Sequence, residues 1–178
     1  MTEKQRAALV TVAAKIDKKT FTRFAMYDTL SRKKGWRNPV LFALIMSAFA
    51  AVCFLGRKTH AQATLLGGVL LGVGIILPLV WFGMFFSSVK RQAKRFGLSP
   101  DKAQYYVTLS NEKIFVSKEK EKADYKWADV YLVRRVKDCI YLYVSPIRAF
   151  LLPDCAETEQ AWEIITANTD PRKIERNG

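Results

Sequence analysis

The sequence has little of the chemistry that enzymes and metal sites require. It contains one histidine, His60, and three cysteines, Cys53, Cys139 and Cys155, with no metal-ligand spacing among them. It also lacks a glycine-rich phosphate loop and a Gly-x-Ser-x-Gly elbow. We therefore predict no enzyme activity, no cofactor, no metal, no small-molecule substrate and no disulfide.

Charged residues are missing from two long stretches, Asn38 to Gly56 and Thr59 to Val89. The first has 19 residues. As an α-helix rising about 1.5 Å per residue, it reaches the roughly 30 Å of a bilayer core. Because neither stretch contains Asp, Glu, Lys or Arg, a channel or transporter made by this chain alone is not expected. We predict transmembrane helices over residues 38–56 and 63–89, joined by a short extracytoplasmic loop at 57–62.

Basic residues lie on both outer flanks of this predicted hairpin. They are Arg32, Lys33, Lys34 and Arg37 before the first span, and Lys90, Arg91, Lys94 and Arg95 after the second. By the positive-inside rule, both termini are cytoplasmic, and we expect a multi-pass protein of the plasma membrane. These eight residues, the basic collar, are candidate contacts for anionic inner-leaflet lipids at about 1 kcal/mol each.

The net charge of +13 is not evidence for a nucleic-acid partner. Residues 105–178 carry twelve basic and twelve acidic residues, so the positive excess lies beside the membrane. Nucleic-acid binding needs a basic face on a folded domain. We therefore expect no nucleic-acid ligand.

Small residues recur at four-residue spacing in both spans. They are Ala43, Ser47 and Ala51 in the first span, and Gly68 and Gly72 in the second. This spacing lets two helix backbones approach closely. The sequence leaves open whether they pack within the hairpin or between two copies of the chain.

Short β-type segments follow a turn-like joint at residues 97–100. They are Tyr105–Ser110, Lys113–Ser117, Ala123–Trp127, Val130–Val136, Cys139–Ser145 and Ala149–Leu152. Such close spacing predicts an antiparallel meander that curls into a barrel or a strongly bent sheet. Asp154 and Glu157 indicate the start of a helix that packs on this sheet. Residues 171–178 are predicted to be a solvated tail.

The N-terminal residues 1–37 contain one further β-type segment and one helical segment. Leu9–Ile16 has β character and is a candidate seventh strand. Aromatic and basic side chains over residues 21–34 indicate an amphipathic helix on the inner leaflet. The soluble domain, residues 105–170 after a basic linker at 90–104, would then be divided around the hairpin.

Three short motifs follow one another in the predicted soluble domain. They are Tyr125-Lys126-Trp127-Ala128-Asp129-Val130, Ile140-Tyr141-Leu142-Tyr143 and Leu151-Leu152-Pro153. These motifs and the order of parts resemble the YcxB-like family of small bacterial membrane proteins. The resemblance extends over most of the chain. It implies an α+β membrane protein, in which a transmembrane hairpin carries a cytoplasmic, pleckstrin-homology-like antiparallel barrel or bent sheet with a C-terminal capping helix. The family often has a basic residue after the proline, where Asp154 stands here.

Two parts of the soluble domain are candidate binding surfaces. Tyr141 and Tyr143 fall on one face of a predicted strand, where they would border a peptide groove if they are not core residues. Lys118 to Lys122 alternates in charge, which favours a solvated loop over a strand with a lysine face.

These features predict a non-enzymatic binding or adaptor module, tethered at the inner face of the plasma membrane. Its partner is an unidentified protein, a second copy of the chain or an anionic lipid. The alternative is an accessory subunit of a transporter or another membrane complex, acting through the hairpin. An enzyme would require four charged residues to converge in one pocket. They are Asp129, Arg134, Arg135 and Asp138.

Overall fold

The computed structural model describes residues 9–55, 61–118 and 121–176, and the chain divides into two units. One comprises residues 1–21 and 96–178 and contains the β-sheets; we call it the sheet unit. The other comprises residues 22–95 and contains the long helices; we call it the helix unit. Most of the predicted outer loop, including His60, lies outside the described residues.

Three helices lie between the first and second strands. They are α1, Lys18–Met26, which continues as a π-helical segment over Tyr27–Arg32, then α2, Arg37–Leu55, and α3, Ala61–Arg95. The last two are 19 and 35 residues long, and their most apolar windows have mean hydropathies of 2.1 and 2.4. Both helices are therefore long and apolar enough to cross a membrane. Only 6% of each window is buried, whereas the core helix of a soluble protein is mostly buried.

Helices α2 and α3 pack against each other at two glycines of α3. A Cβ added at Gly67 would lie 3.1 Å from the Phe54 ring and 3.3 Å from the Ala50 carbonyl oxygen. A Cβ at Gly74 would lie 2.8 Å from the Cβ of Met46. The earlier glycine of α3 meets a later residue of α2, and the later glycine meets an earlier residue. The two helices are therefore antiparallel. A seven-residue separation of contacts is typical of helices that cross at a shallow angle.

The first sheet combines strands from both sides of the long helices. Its order is β1-β2-β3-β4, and all neighbours are antiparallel. The strands are Val10–Ala13, Tyr106–Leu109, Lys113–Lys118 and Glu121–Lys126. Strand β1, which falls within the candidate strand at the N-terminus, pairs along its whole length with β2, from Val10 opposite Leu109 to Ala13 opposite Tyr106.

The second sheet has the order β7-β6-β5-β8. Its strands are β5, Leu132–Val136, β6, Cys139–Ser145, β7, Arg148–Pro153, and β8, Ile174–Arg176. Strand β8 pairs in parallel with β5, and the other pairs are antiparallel. The prediction of a solvated tail was therefore wrong for residues 174–176, and residues 177–178 lie outside the described residues. A three-residue strand among charged residues has too few positions for an alternating pattern.

The described strands form two four-stranded sheets and do not close into a barrel. The chain leaves β4 through a 3₁₀ turn at Trp127–Asp129 and then begins the second sheet. Trp127 is buried at this crossing, and its indole N–H donates to the carbonyl of Ser110 at 2.9 Å. Strands β4 and β7 are consequently edge strands of different sheets.

Helix α4, Thr158–Asn168, completes the core of the sheet unit. It contacts β1 and β2, and its buried side chains join the hydrophobic core. The predicted start at Asp154 was wrong, because Glu157 occupies the N-cap without a side-chain cap hydrogen bond. The preceding turn is held instead by the Thr158 hydroxyl, which accepts from the Cys155 N–H at 2.8 Å.

The two cysteines of the sheet unit should differ in reactivity. Cys139 is buried and Cys155 is exposed. Burial raises the pKa of the Cys139 thiol from 9.0 to about 12. Because the thiolate is the reactive form, we expect iodoacetamide at mildly alkaline pH to modify Cys155 and spare Cys139 in the folded chain. Peptide mass spectrometry with and without urea measures this difference, and equal labelling rates without urea would contradict it.

Candidate binding site

A groove of about 480 Å³ lies between the β3–β4 hairpin of the first sheet and strand β7 of the second. Apolar and aromatic residues line part of it: Tyr105, Val116, Ala123 and Phe150. Charged residues line the rest: Lys118, Glu121, Lys122 and Arg148. We call it the seam groove, because a closed barrel would join the sheets along the edges of β4 and β7.

Aromatic side chains bridge the two sheets beside this groove. The Phe150 ring on β7 is buried, and its centroid lies 5.7 Å from that of Tyr105 and 5.5 Å from that of Tyr125 on β4. Both pairs have the inclined geometry that aromatic rings prefer. Side-chain packing therefore connects the sheets here, where backbone pairing does not.

Tyr105 also caps part of the free edge of β7. Its hydroxyl accepts from the Leu151 N–H at 2.7 Å and donates to the Leu151 carbonyl at 3.1 Å. Edge amides and carbonyls without such partners are free to pair with another chain. Burial raises the pKa of the Tyr105 phenol, so the hydroxyl stays protonated and able to donate.

We expect Tyr105→Phe to destabilise the sheet unit by about 1–3 kcal/mol, because the substitution removes both hydrogen bonds to Leu151 at a part-buried position. Urea-dependent proteolysis of the full chain in nanodiscs measures the change. Tyr106→Phe is the matched control, because Tyr106 is the next residue in the chain and its side chain is 48% exposed. Equal stability of the two variants would contradict the edge-capping role.

The charged side of the groove is predominantly basic. The Arg148 guanidinium carbon lies 5.8 Å from the Tyr125 ring centroid and 5.7 Å from the Phe150 ring centroid. Lys118, Lys122 and the single carboxylate of Glu121 lie in the same lining. Three cations above an aromatic and apolar surface suit a ligand that combines an anionic group with an apolar one.

Most of this groove belongs to a segment with known relatives. Residues 109–166 match the model of the YcxB-like protein family. This segment is similar to the YcxB-like family. The match confirms the predicted family resemblance for residues 109–166, which contain β3 to β7 and most of α4. Outside these residues, the resemblance stays a prediction. No curated protein and no solved structure matches the chain.

Sequence reasoning missed the residues that line the seam groove. Lys118, Glu121 and Lys122 belong to β3 and β4, so the solvated-loop interpretation was wrong for them; residues 119–120 lie outside the described residues. Arg148 and Phe150 share one face of β7, and this basic-aromatic alternation at a strand start is the one signal that could have identified them.

Tyr141 and Tyr143 are buried in the sheet unit. They are 2% and 1% exposed on β6, which lies between β5 and β7. The prediction that their side chains border a peptide groove was therefore wrong. Because β6 is buried on both faces, alternation along this strand does not separate a core face from an exposed face.

The charged residues considered for catalysis have partners on different elements. Arg134 Nη1 lies 2.8 Å from Glu175 Oε2. Arg135 hydrogen-bonds to Glu159, which holds the pKa of that carboxyl below its usual value. Asp129 Oδ2 accepts a backbone N–H of its own turn. Within residues 9–55, 61–118 and 121–176, no group of three His, Cys, Asp or Glu side chains could hold a metal ion.

The basic collar lies in the helix unit and divides into paired and exposed members. Asp28 Oδ1 lies 2.6 Å from Arg32 Nη2, and Asp28 Oδ2 lies 2.6 Å from Lys33 Nζ. Partial burial acts to raise the pKa of Asp28, but hydrogen bonds from Lys33 and Arg32 outweigh it and lower that pKa. The remaining six collar residues are exposed: Lys34, Arg37, Lys90, Arg91, Lys94 and Arg95.

The GxxxG pair of α3 does not pack within the hairpin. A Cβ added at Gly68 or Gly72 would meet nothing within 4 Å. The contacts with α2 use Gly67 and Gly74 instead, one residue before and two residues after that pair. At about 100° per residue, Gly67 and Gly74 lie within about 20° of each other around α3, whereas Gly68 and Gly72 lie roughly 100–140° from Gly67.

The small residues of α2 show a similar division. Ala43 is half-buried, and its carbonyl oxygen lies 3.7 Å from a Cβ built at Gly74. Ser47 and Ala51 are exposed. Of the two alternatives left open by the sequence, packing within the hairpin therefore does not apply to Gly68 and Gly72.

Proposed function

We propose that the chain is a non-enzymatic binding module, tethered to the inner face of the plasma membrane, which holds a protein partner in the seam groove. The observation that carries this proposal is the lining of the groove, where Lys118, Lys122 and Arg148 surround an apolar and aromatic surface. A partner segment with an acidic side chain next to an apolar one has the complementary chemistry.

The pairing of β1 with β2 supports the proposed topology. Val10 lies opposite Leu109, although both long helices intervene between them in the chain. If α2 and α3 each cross a bilayer, the two crossings return the chain to the side from which it started. The basic residues on both flanks favour the cytoplasm as that side.

Membrane tethering gives a small groove a functional role. A partner that is itself at the membrane meets the tethered domain at an effective concentration far above its average concentration in the cell. A weak contact with the lining of the seam groove is then sufficient. We expect the affinity of the isolated interaction to be low and its dependence on membrane attachment to be strong.

Photocrosslinking in native membranes tests the proposal. Ile147 is 88% exposed and precedes Arg148 in the turn before β7, so a photocrosslinking residue there reports on the groove. We expect Arg148→Glu to abolish the crosslinked partner, and Arg172→Glu, a charge reversal at an exposed site after α4, to retain it. Hydrogen exchange confirms that both variants are folded. A partner retained by Arg148→Glu would overturn the proposal.

A second candidate function is an accessory subunit that acts through the hairpin. It is favoured by the open space around Gly68 and Gly72, where another helix backbone could approach closely. Replacing both glycines by leucine should abolish partner capture under this alternative and leave it unchanged under the seam-groove proposal. Arg148→Glu should have the opposite pattern.

A further inference from the structure

The helix unit contains a second pocket, of about 460 Å³, at the start of α2. Its lining changes character along the chain. The basic residues from Arg32 to Arg37 come first, with Trp36 among them, and Val40, Leu41 and Leu44 follow along α2. We call it the interfacial pocket, because α2 is long and apolar enough to cross a membrane.

A tight turn positions the basic end of this pocket. The Gly35 N–H donates to the Thr29 carbonyl at 2.8 Å, and a Cβ at Gly35 would lie 2.7 Å from that oxygen. Lys34 has φ +51, and its carbonyl accepts from the Arg37 N–H at 3.0 Å. Lys34 and Arg37 therefore extend from a defined turn that connects directly to α2.

The charge of the pocket remains positive after internal pairing. Asp28 supplies one carboxylate, which pairs with both Arg32 and Lys33. Lys34 and Arg37 are exposed in the same lining. The basic end therefore has four cationic groups against one carboxylate, and an anion is the ligand that balances them.

The apolar end requires a ligand with a hydrocarbon part. Leu41 and Leu44 are 57% and 63% exposed and follow the basic residues along α2. Tryptophan prefers the headgroup level of a bilayer. Trp36 directly precedes α2, so it would lie at that level if α2 crosses the membrane. A soluble phosphate compound would cover the cations and leave the leucines uncovered.

We propose that the interfacial pocket binds one anionic phospholipid. Its phosphate lies against Lys34 and Arg37, and one acyl chain lies along Leu41 and Leu44. This inference rests on the membrane placement in the proposed function and is independent of the seam groove. It differs from general attraction by the basic collar, because it assigns one lipid to one half of the collar.

Native mass spectrometry of the full chain, released from nanodiscs that contain phosphatidylglycerol and phosphatidylcholine, tests this stoichiometry. We expect one retained phosphatidylglycerol on the unaltered chain. The double variant Lys34→Gln/Arg37→Gln should lower its apparent affinity about tenfold or more. The matched control is Lys90→Gln/Arg91→Gln, which removes the same charge from exposed residues at the end of α3 that are not part of this pocket. It should retain the lipid.

Five results would overturn the inference. Equal loss in both double variants, or progressive binding of many lipids without a distinct first one, would indicate attraction by the whole collar. Displacement of the lipid by millimolar glycerol phosphate would indicate a phosphate site that does not use the acyl chain.

Flotation with phosphatidylcholine vesicles separates these results from failure of the proposed function. A chain that floats without retaining phosphatidylglycerol overturns the lipid site alone, whereas a chain that does not float removes the membrane placement as well.

Discussion

Replacing Gly74 by leucine is expected to force α2 and α3 apart and to destabilise the helix unit by about 1–3 kcal/mol or more. A Cβ at this position would lie 2.8 Å from the Cβ of Met46, closer than two such atoms approach. The Cβ of Met46 is attached directly to its backbone, so a change of side-chain rotamer cannot move it away. This steric clash is relieved only if one of the two helices moves.

Gly72→Leu is the matched control for this prediction. It makes the same change two residues earlier on α3, at a position where a Cβ meets nothing within 4 Å. Unfolding of the full chain in mixed micelles of increasing SDS content, followed by the loss of helical circular dichroism, compares the two variants. We expect Gly72→Leu to match the unaltered chain. Equal destabilisation by both substitutions would contradict the packing of α2 against Gly74.

Trp127→Ala is expected to destabilise the sheet unit by about 3–5 kcal/mol, the largest effect of a single substitution that we predict there. Trp127 is a buried member of the hydrophobic core at the turn between the two sheets. Its indole N–H also donates to the Ser110 carbonyl, while the Ser110 hydroxyl holds the turn to Lys113. The substitution therefore leaves a cavity and removes the indole hydrogen bond to that carbonyl.

Two further variants divide this effect into its parts. Trp127→Phe keeps much of the apolar volume and removes the hydrogen bond to Ser110, so we expect a loss of about 1–3 kcal/mol. Tyr131→Ala removes an aromatic side chain that is exposed, and we expect a smaller change. Urea-dependent proteolysis of the full chain ranks all three. The packing role of Trp127 would be refuted if Trp127→Ala were no more destabilising than Tyr131→Ala.

Local sequence patterns predicted the elements of this chain closely. The predicted strand Cys139–Ser145 has the same bounds as β6, and the first predicted span begins one residue after the start of α2. A long uncharged apolar run and a short β-branched or aromatic run are local signals, and each is read within one element. The family motifs in residues 109–166 were recognisable for the same reason.

Pairing between distant elements was not predictable in this way. Division into two sheets depends on where β4 ends and β5 begins, which a count of strands does not reveal. The seam groove depends on Tyr105 meeting the backbone of Leu151 and on Phe150 meeting Tyr125. These residues are far apart in the chain, so no local pattern connects them. The burial of Tyr141 likewise depends on what covers the second face of β6, and not on the strand's own alternation.

The pairing of β1 with β2 also constrains how the protein is made. Strand β1 leaves the ribosome first, and its partner is synthesised only after α3 is complete. At about 5–20 residues per second, roughly ninety intervening residues leave β1 without its neighbour for on the order of 5–20 seconds. If α2 and α3 each cross a membrane, as we propose, a nascent chain with only one helix inserted would hold the two strands on opposite sides of the bilayer. The first sheet could then not assemble, and β1 would remain an unpaired edge accessible to proteases. Under that proposal, the first sheet is complete only in chains in which both helices have inserted.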